Sequence, residues 1–175
     1  MLPYIQKNLL AHEKLIYGVK PHWIIFNATF WVLLAALIVR VFTPAAFSGE
    51  IFDGYSLPGI VSSALLLVGI VWFIRAYIFF TTSEYGVTNR RVMIKIGWIQ
   101  RNSLEIMLEK VEGVFVDQSV AGRVIGYGAI TIIGTGGTKD RFPFIPDPLT
   151  FRRAVQQQID LEDHPEDAKS ATPQV

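Results

Sequence analysis

Polar and apolar positions divide this chain into two regimes. From Trp23 to Val39 the run WIIFNATFWVLLAALIV carries no charge and continues through Arg40 and Val41 to Phe42. A second run, LPGIVSSALLLVGIVWFI from Leu57 to Ile74, is equally uncharged and reaches Phe80 past Arg75. A hydrocarbon core of roughly 30 Å requires about 20 helical residues at about 1.5 Å each. Each run therefore predicts a transmembrane helix, and together they predict a hairpin over 23–80 with a connecting loop over 43–57. Trp23 at the entry, and Arg40 and Arg75 near the ends, are the expected interfacial anchors, the arginines reaching toward headgroups. A cleaved signal peptide fits poorly, because more than 20 residues precede the first run and the second run follows directly.

Basic residues set the expected orientation. Lys7, Lys14 and Lys20 precede the first run and Arg90, Arg91 and Lys95 follow the second, whereas Val41 to Ile74 contains no Lys or Arg and carries Glu50 and Asp53. By the positive-inside rule both termini lie in the cytoplasm.

Outside the hairpin the periodicity changes. Leu15, Ile16, Tyr17 and Val19, bounded by Gly18 and Pro21, predict a short strand, and Leu2, Ile5 and Leu9 predict a helical stripe over Met1 to Leu10 that suits a membrane interface. After Phe80 come short runs rich in Val, Ile, Thr and Tyr, read as strands over 82–88, 91–96, 98–108, 111–119, 129–133 and 141–145. The segments Thr88-Asn89-Arg90, Ile96-Gly97-Trp98 and Gly134 to Thr138 supply turns. The run PLTFRRAVQQQI from Pro148 predicts a helix capped by Asp147. The expected organisation is an N-terminal segment 1–22, the hairpin 23–80, a β-domain 81–160 and a disordered acidic tail 161–175. In class terms this is a membrane α-helical hairpin plus an α+β domain of antiparallel strands closed by one helix.

Composition narrows the function classes. Of 175 residues 51% are hydrophobic and 18% charged, against roughly 25% charged in typical soluble domains, which argues against general disorder. A net charge of +1 gives no global field for nucleic acid. There is no cysteine, hence no disulfide and no thiolate ligand or nucleophile. His12, His22 and His164 lie in separate segments, and alternation along the strand places Glu105 with Met107 on a solvated face rather than in an acid pair. The glycine run 134–137 lacks the spacing of a phosphate loop, and Gly126-Tyr127-Gly128 has no βαβ unit around it. No catalytic, cofactor-binding or metal-binding residue is predicted, and neither a cofactor nor a small-molecule substrate is expected.

One resemblance is specific. Glu84-Tyr85 leading to Val87-Thr88-Asn89-Arg90-Arg91, then Glu105-Ile106, Val111, Val116, Gln118-Ser119, Gly122-Arg123, Gly126-Tyr127-Gly128 and Pro146 together resemble the bacterial pleckstrin-homology-like domain of a membrane-anchored family formerly grouped under a domain of unknown function. The resemblance runs from Lys14 to about Asp160 and includes the His22-Trp23 entry to the first span. It implies two spans in a bacterial inner membrane, a cytoplasmic β-sandwich or barrel with a C-terminal helix, and no particular activity. The expected role is a non-enzymatic adaptor that binds a partner protein or its own copies; an accessory subunit of a larger membrane complex is the alternative. Arg90, Arg91, Lys95 and Arg101 are the candidate interaction residues. Two readings compete for them: contact with anionic lipid at about 1 kcal/mol each, or topology signals on a guarded sheet edge.

Overall fold

The computed structural model describes residues 2–42, 50–52, 55–97 and 102–163. In chain order the elements are α1 (Pro3–Lys7), β1 (Leu15–Val19), a 3-10 turn (Trp23–Phe26) leading into α2 (Asn27–Phe42), β2 (Glu50–Phe52), β3 (Tyr55–Ser56), α3 (Leu57–Thr82), β4 (Glu84–Thr88), β5 (Arg91–Ile96), β6 (Asn102–Met107), a 3-10 turn (Leu108–Lys110), β7 (Val111–Asp117), α4 (Val120–Ile125), β8 (Tyr127–Gly134), β9 (Lys139–Pro146) and α5 (Pro148–Asp163). They fall into two compact units: Trp23–Ile78, and the chain up to His22 together with the chain from Phe79 onward.

The Trp23–Ile78 unit holds two helical stretches, Trp23–Phe42 and the greater part of Leu57–Thr82, long and apolar enough to cross a membrane. Their buried positions are small residues seven apart, Thr29 and Ala36 on α2 and Ser62, Gly69 and Ala76 on α3. Gly69 lies against Leu33 and Val32. The large side chains point the other way, with Trp31, Leu37, Ile38, Leu67, Ile70 and Val71 exposed.

The other unit is a two-sheet sandwich. Four antiparallel strands in the order β1-β4-β5-β6 face three in the order β7-β8-β9. The strand expected before the first span is thus part of the β-domain: Val19 pairs with Tyr85 and Tyr17 with Val87, across the whole intervening hairpin. Tyr85, Val87, Val92 and Ile94 of one sheet meet Ile130, Ile132, Phe142 and Ile145 of the other, and α5 closes the core with Phe151 and Val155. Each such fully buried side chain stabilises the fold by about 1.5–3 kcal/mol. Asp147 caps α5 as expected, its carboxylate accepting from the Thr150 hydroxyl at 2.6 Å.

Several elements differ from the sequence reading. Between the expected strands 111–119 and 129–133, where no element is expected, residues Val120–Ile125 form α4, because the Ser119 hydroxyl accepts from the Gly122 amide at 3.0 Å and Gly126 ends the helix at φ +84°. The last helix runs to Asp163, three residues into the expected tail, whose remainder lies outside the described residues. Trp98 to Arg101, expected as the start of a strand, also lie outside them. In β9 the register slips between the Gly128–Ile145 and Ile130–Phe142 pairs. At this bulge Pro143 has no amide to donate and Phe144 takes φ +61°, which takes both carbonyls out of the β8–β9 ladder. The Pro143 carbonyl accepts from the Tyr85 hydroxyl at 3.0 Å and the Phe144 carbonyl from the His22 amide at 2.6 Å.

Candidate interaction surface

Strand alternation sends Tyr85 and Val87 of β4 and Val92 and Ile94 of β5 into the core, leaving Glu84, Gly86, Thr88, Arg91, Met93 and Lys95 on the outer face. That face reads as solvated, yet all five residues of β4 are buried. The N-terminal segment covers it. Leu2 and Ile5 of α1 form an apolar cluster with Met93, joined by Tyr4, Leu9 and Leu15. The Glu84 carboxylate accepts from the amides of Tyr4 and Ile5 at 3.0 and 3.1 Å, satisfying the first turn of α1. The stripe expected to lie in a membrane interface is instead docked on the chain's own sheet.

Arg91 anchors the far end of this cover. Its Nε and Nη2 donate to the two Glu13 carboxylate oxygens at 2.8 Å each, Nη1 donates to Glu105 at 2.6 Å, and Nη2 also reaches the Asn8 carbonyl at 3.0 Å. The Thr88 hydroxyl lies 2.7 Å from Glu13 Oε1 and accepts from the Arg91 amide at 3.0 Å. Burial alone pushes the Glu13 carboxyl up, but hydrogen bonds from Arg91, the Leu10 amide and Thr88, with the Arg91 charge, hold it down at about 2. Arg91 is correspondingly raised by its hydrogen bond to Glu13, against burial.

This corrects the expectation that the basic residues of the β4–β5 hairpin present themselves on exposed turns and edges. Arg91 is 7% exposed and paired with two carboxylates. Lys95 is half-buried, its Nζ 4.6 Å from the centre of the Tyr4 ring. Arg90 is exposed, and Arg101 lies outside the described residues. Glu105 is exposed, as expected of a solvated face, and is also the second carboxylate on Arg91. Glu13 was the partner the sequence did not signal, since nothing local links it to a strand 78 residues away. Among the expected anchors, Trp23 is exposed at the entry to α2, Arg40 stands in its last turn, and Arg75 lines a small cavity with Ile25, Thr29 and Trp72.

A second surface lies around α4. An open groove of about 470 Å3 runs between α4 and the start of α5, lined by Val116, Gln118, Arg123, Leu149 and Arg152 among others. Beside it Val120 and Val124 are among the most exposed apolar side chains of the domain, at 79% and 84%.

The seven-strand sandwich with its closing helix agrees with comparison to known proteins: the family model described as bacterial PH domain matches residues 24–159. The chain belongs to that family. This bacterial PH domain also has likeness to a solved structure, a DUF1696 family protein with a pleckstrin-homology domain from Shewanella loihica PV-4, at 10% identity and a TM-score of 0.36, covering 44% of this chain and 70% of that one. No curated protein matches. Membership suggests a binding or scaffold module and a non-catalytic domain. The matched span begins after β1, so this bacterial PH domain takes its first strand, and the segment covering its outer face, from residues before it.

Proposed function

We propose that the chain is a non-enzymatic adaptor tethered to the cytoplasmic face of the bacterial inner membrane, where its PH-like domain binds a partner protein or further copies of itself. The observation that carries this reading is the pairing of β1 with β4 on either side of two apolar helices. Strands of one sheet share one compartment, so the chain between them returns to the side it left, and two crossings satisfy that. The distribution of side chains in the hairpin supports the same reading: small residues inside and large apolar residues outside suit a hydrocarbon solvent, in which helices associate through small contacts. The excess of Lys and Arg on the domain side supports a cytoplasmic location.

An accessory subunit of a larger membrane complex is the second reading: Ala36, Ser62 and Gly69 are buried, whereas Ala35, Ser63 and Trp72 are exposed and could meet helices of a neighbour. Reporter fusions test the topology: alkaline phosphatase is expected to be active when inserted at Glu50 and inactive when fused after Asp163, and the reverse pattern sinks the reading. A photo-crosslinking residue at the exposed Phe115 is expected to give one reproducible adduct, with a partner protein or with a second copy, in intact cells. A partnerless monomer that turns over a substrate overturns the adaptor.

A further inference from the structure

We propose that α4 is the lipid contact of the PH-like domain, with Val120 and Val124 seated in the headgroup layer of the membrane. The inference rests on the membrane-anchored reading and says which edge of the domain meets the bilayer. Val120 and Val124 stand four residues apart on α4 and so share one face, and both are almost fully exposed. The helix is held firmly. Gln118 Nε2 donates to the carbonyls of Gly122 and Tyr127, both at 3.1 Å, and the Asp147 amide donates to the Gly126 carbonyl at 2.9 Å.

That edge of the domain is where the chain leaves for the apolar hairpin and where it returns. The His22 ring stacks on Tyr127, which follows the C-cap of α4, with centroids 5.6 Å apart, and the next residue, Trp23, opens the first apolar stretch. On the return, the Phe79 ring meets Phe144 edge-on at 6.4 Å, and Phe144 is the residue whose carbonyl takes the His22 amide. Both junctions thus converge on the start of β8 and the end of β9, with α4 beside them. The charge leans toward an anionic surface: Arg123 on α4 and Arg152 line the groove against the single carboxylate of Asp147, while the nearby Asp117 is paired with Arg141.

Because the chain has no cysteine, single labelling sites are simple to introduce. Full-length protein carrying a nitroxide at Val124→Cys, and separately at Val120→Cys, is placed in lipid nanodiscs with and without phosphatidylglycerol. Glu109→Cys on the 3-10 turn after β6 and Leu66→Cys within α3 serve as references, each variant being checked for parental circular dichroism. Accessibility to oxygen is expected to exceed accessibility to a water-soluble nickel complex at Val120 and Val124, at a depth of roughly 5 Å, with the opposite preference at Glu109. Water-like values at both valines with lipid-like values at Leu66 overturn the inference and leave the membrane anchor standing. Water-like values at Leu66 as well overturn both. Shielding of the valines from both reagents, changing with the number of copies per disc, assigns the face to a second copy and also overturns the lipid contact.

Discussion

Glu13 and Arg91, 78 residues apart, meet as a two-point ion pair with both side chains almost entirely out of water. The pair fastens the N-terminal segment over the four-stranded sheet, with Thr88 and the Asn8 carbonyl meeting the remaining hydrogen-bonding needs. Buried pairs of this kind add less net stability than their strength suggests, because desolvation offsets the attraction, but separating the partners is costly.

Removing one partner is therefore expected to hurt more than removing both. Arg91→Met leaves the Glu13 charge buried without compensation and should cost about 3–5 kcal/mol. Glu13→Gln keeps a neutral acceptor and leaves Glu105 on Arg91, so about 1–3 kcal/mol is expected. The double variant Glu13→Leu with Arg91→Met should recover much of the loss. Thermal unfolding in detergent, followed by circular dichroism, measures the cycle; strict additivity would show that the pair is not coupled.

Acid should release the N-terminal segment before the sandwich unfolds. Glu13 is held at about 2 against an ordinary value of 4.5, so between these values the unfolded chain binds the proton and the folded one does not. Its contribution is complete above about pH 4.5 and is lost as pH falls toward 2. The protection of the amides between Leu2 and Leu10 against hydrogen exchange, relative to the intrinsic rate at each pH, is expected to fall across that window. In Glu13→Gln that fall should disappear.

In the hairpin, a side chain at Gly69 has nowhere to go: a Cβ there would approach Leu33 Cδ2 to 2.5 Å and Cγ to 3.0 Å. Gly69→Leu should force α2 and α3 apart at about 1–3 kcal/mol, whereas Leu67→Ala, at an exposed position, should leave their association unchanged. The distance between spin labels at the exposed positions Trp31 and Ile70 reads the separation.

At the end of α4, Gly126 sits at φ +84° with open space where a Cβ would lie. A substitution there meets backbone strain alone, so Gly126→Val should cost about 1–2 kcal/mol and Gly126→Asn less. A steeper loss for Asn than for Val in thermal unfolding would contradict the left-handed cap.

The β-domain strands were legible because each short Val-, Ile- and Thr-rich run ends at a glycine or polar cluster, and the described runs after Phe80 fall near their expected bounds. The helix α4 was missed although Ser119 and Gly126 are ordinary start and stop signals, because six residues carry too little periodicity between them. Alternation along β5 puts Arg91 and Lys95 on the outer face, but alternation cannot tell water from another part of the chain. Leu2, Ile5 and Leu9 gave a true amphipathic stripe whose partner, Met93, lies far off in sequence. What was hidden in each case was a contact between distant segments, which a one-dimensional pattern does not encode.

The placement of the apolar hairpin between β1 and β4 also orders events during synthesis. β1 leaves the ribosome first, but its partner is separated from it by the 64 residues from Lys20 to Ser83. At roughly 5–20 residues per second, a strand edge waits on the order of several seconds before β4 is made. Pairing then joins two stretches of chain that only a completed hairpin brings back together. On the membrane-anchored reading, sheet closure follows the hairpin: a chain whose helices are not both inserted keeps β1 unpaired, an exposed edge open to pairing with other chains.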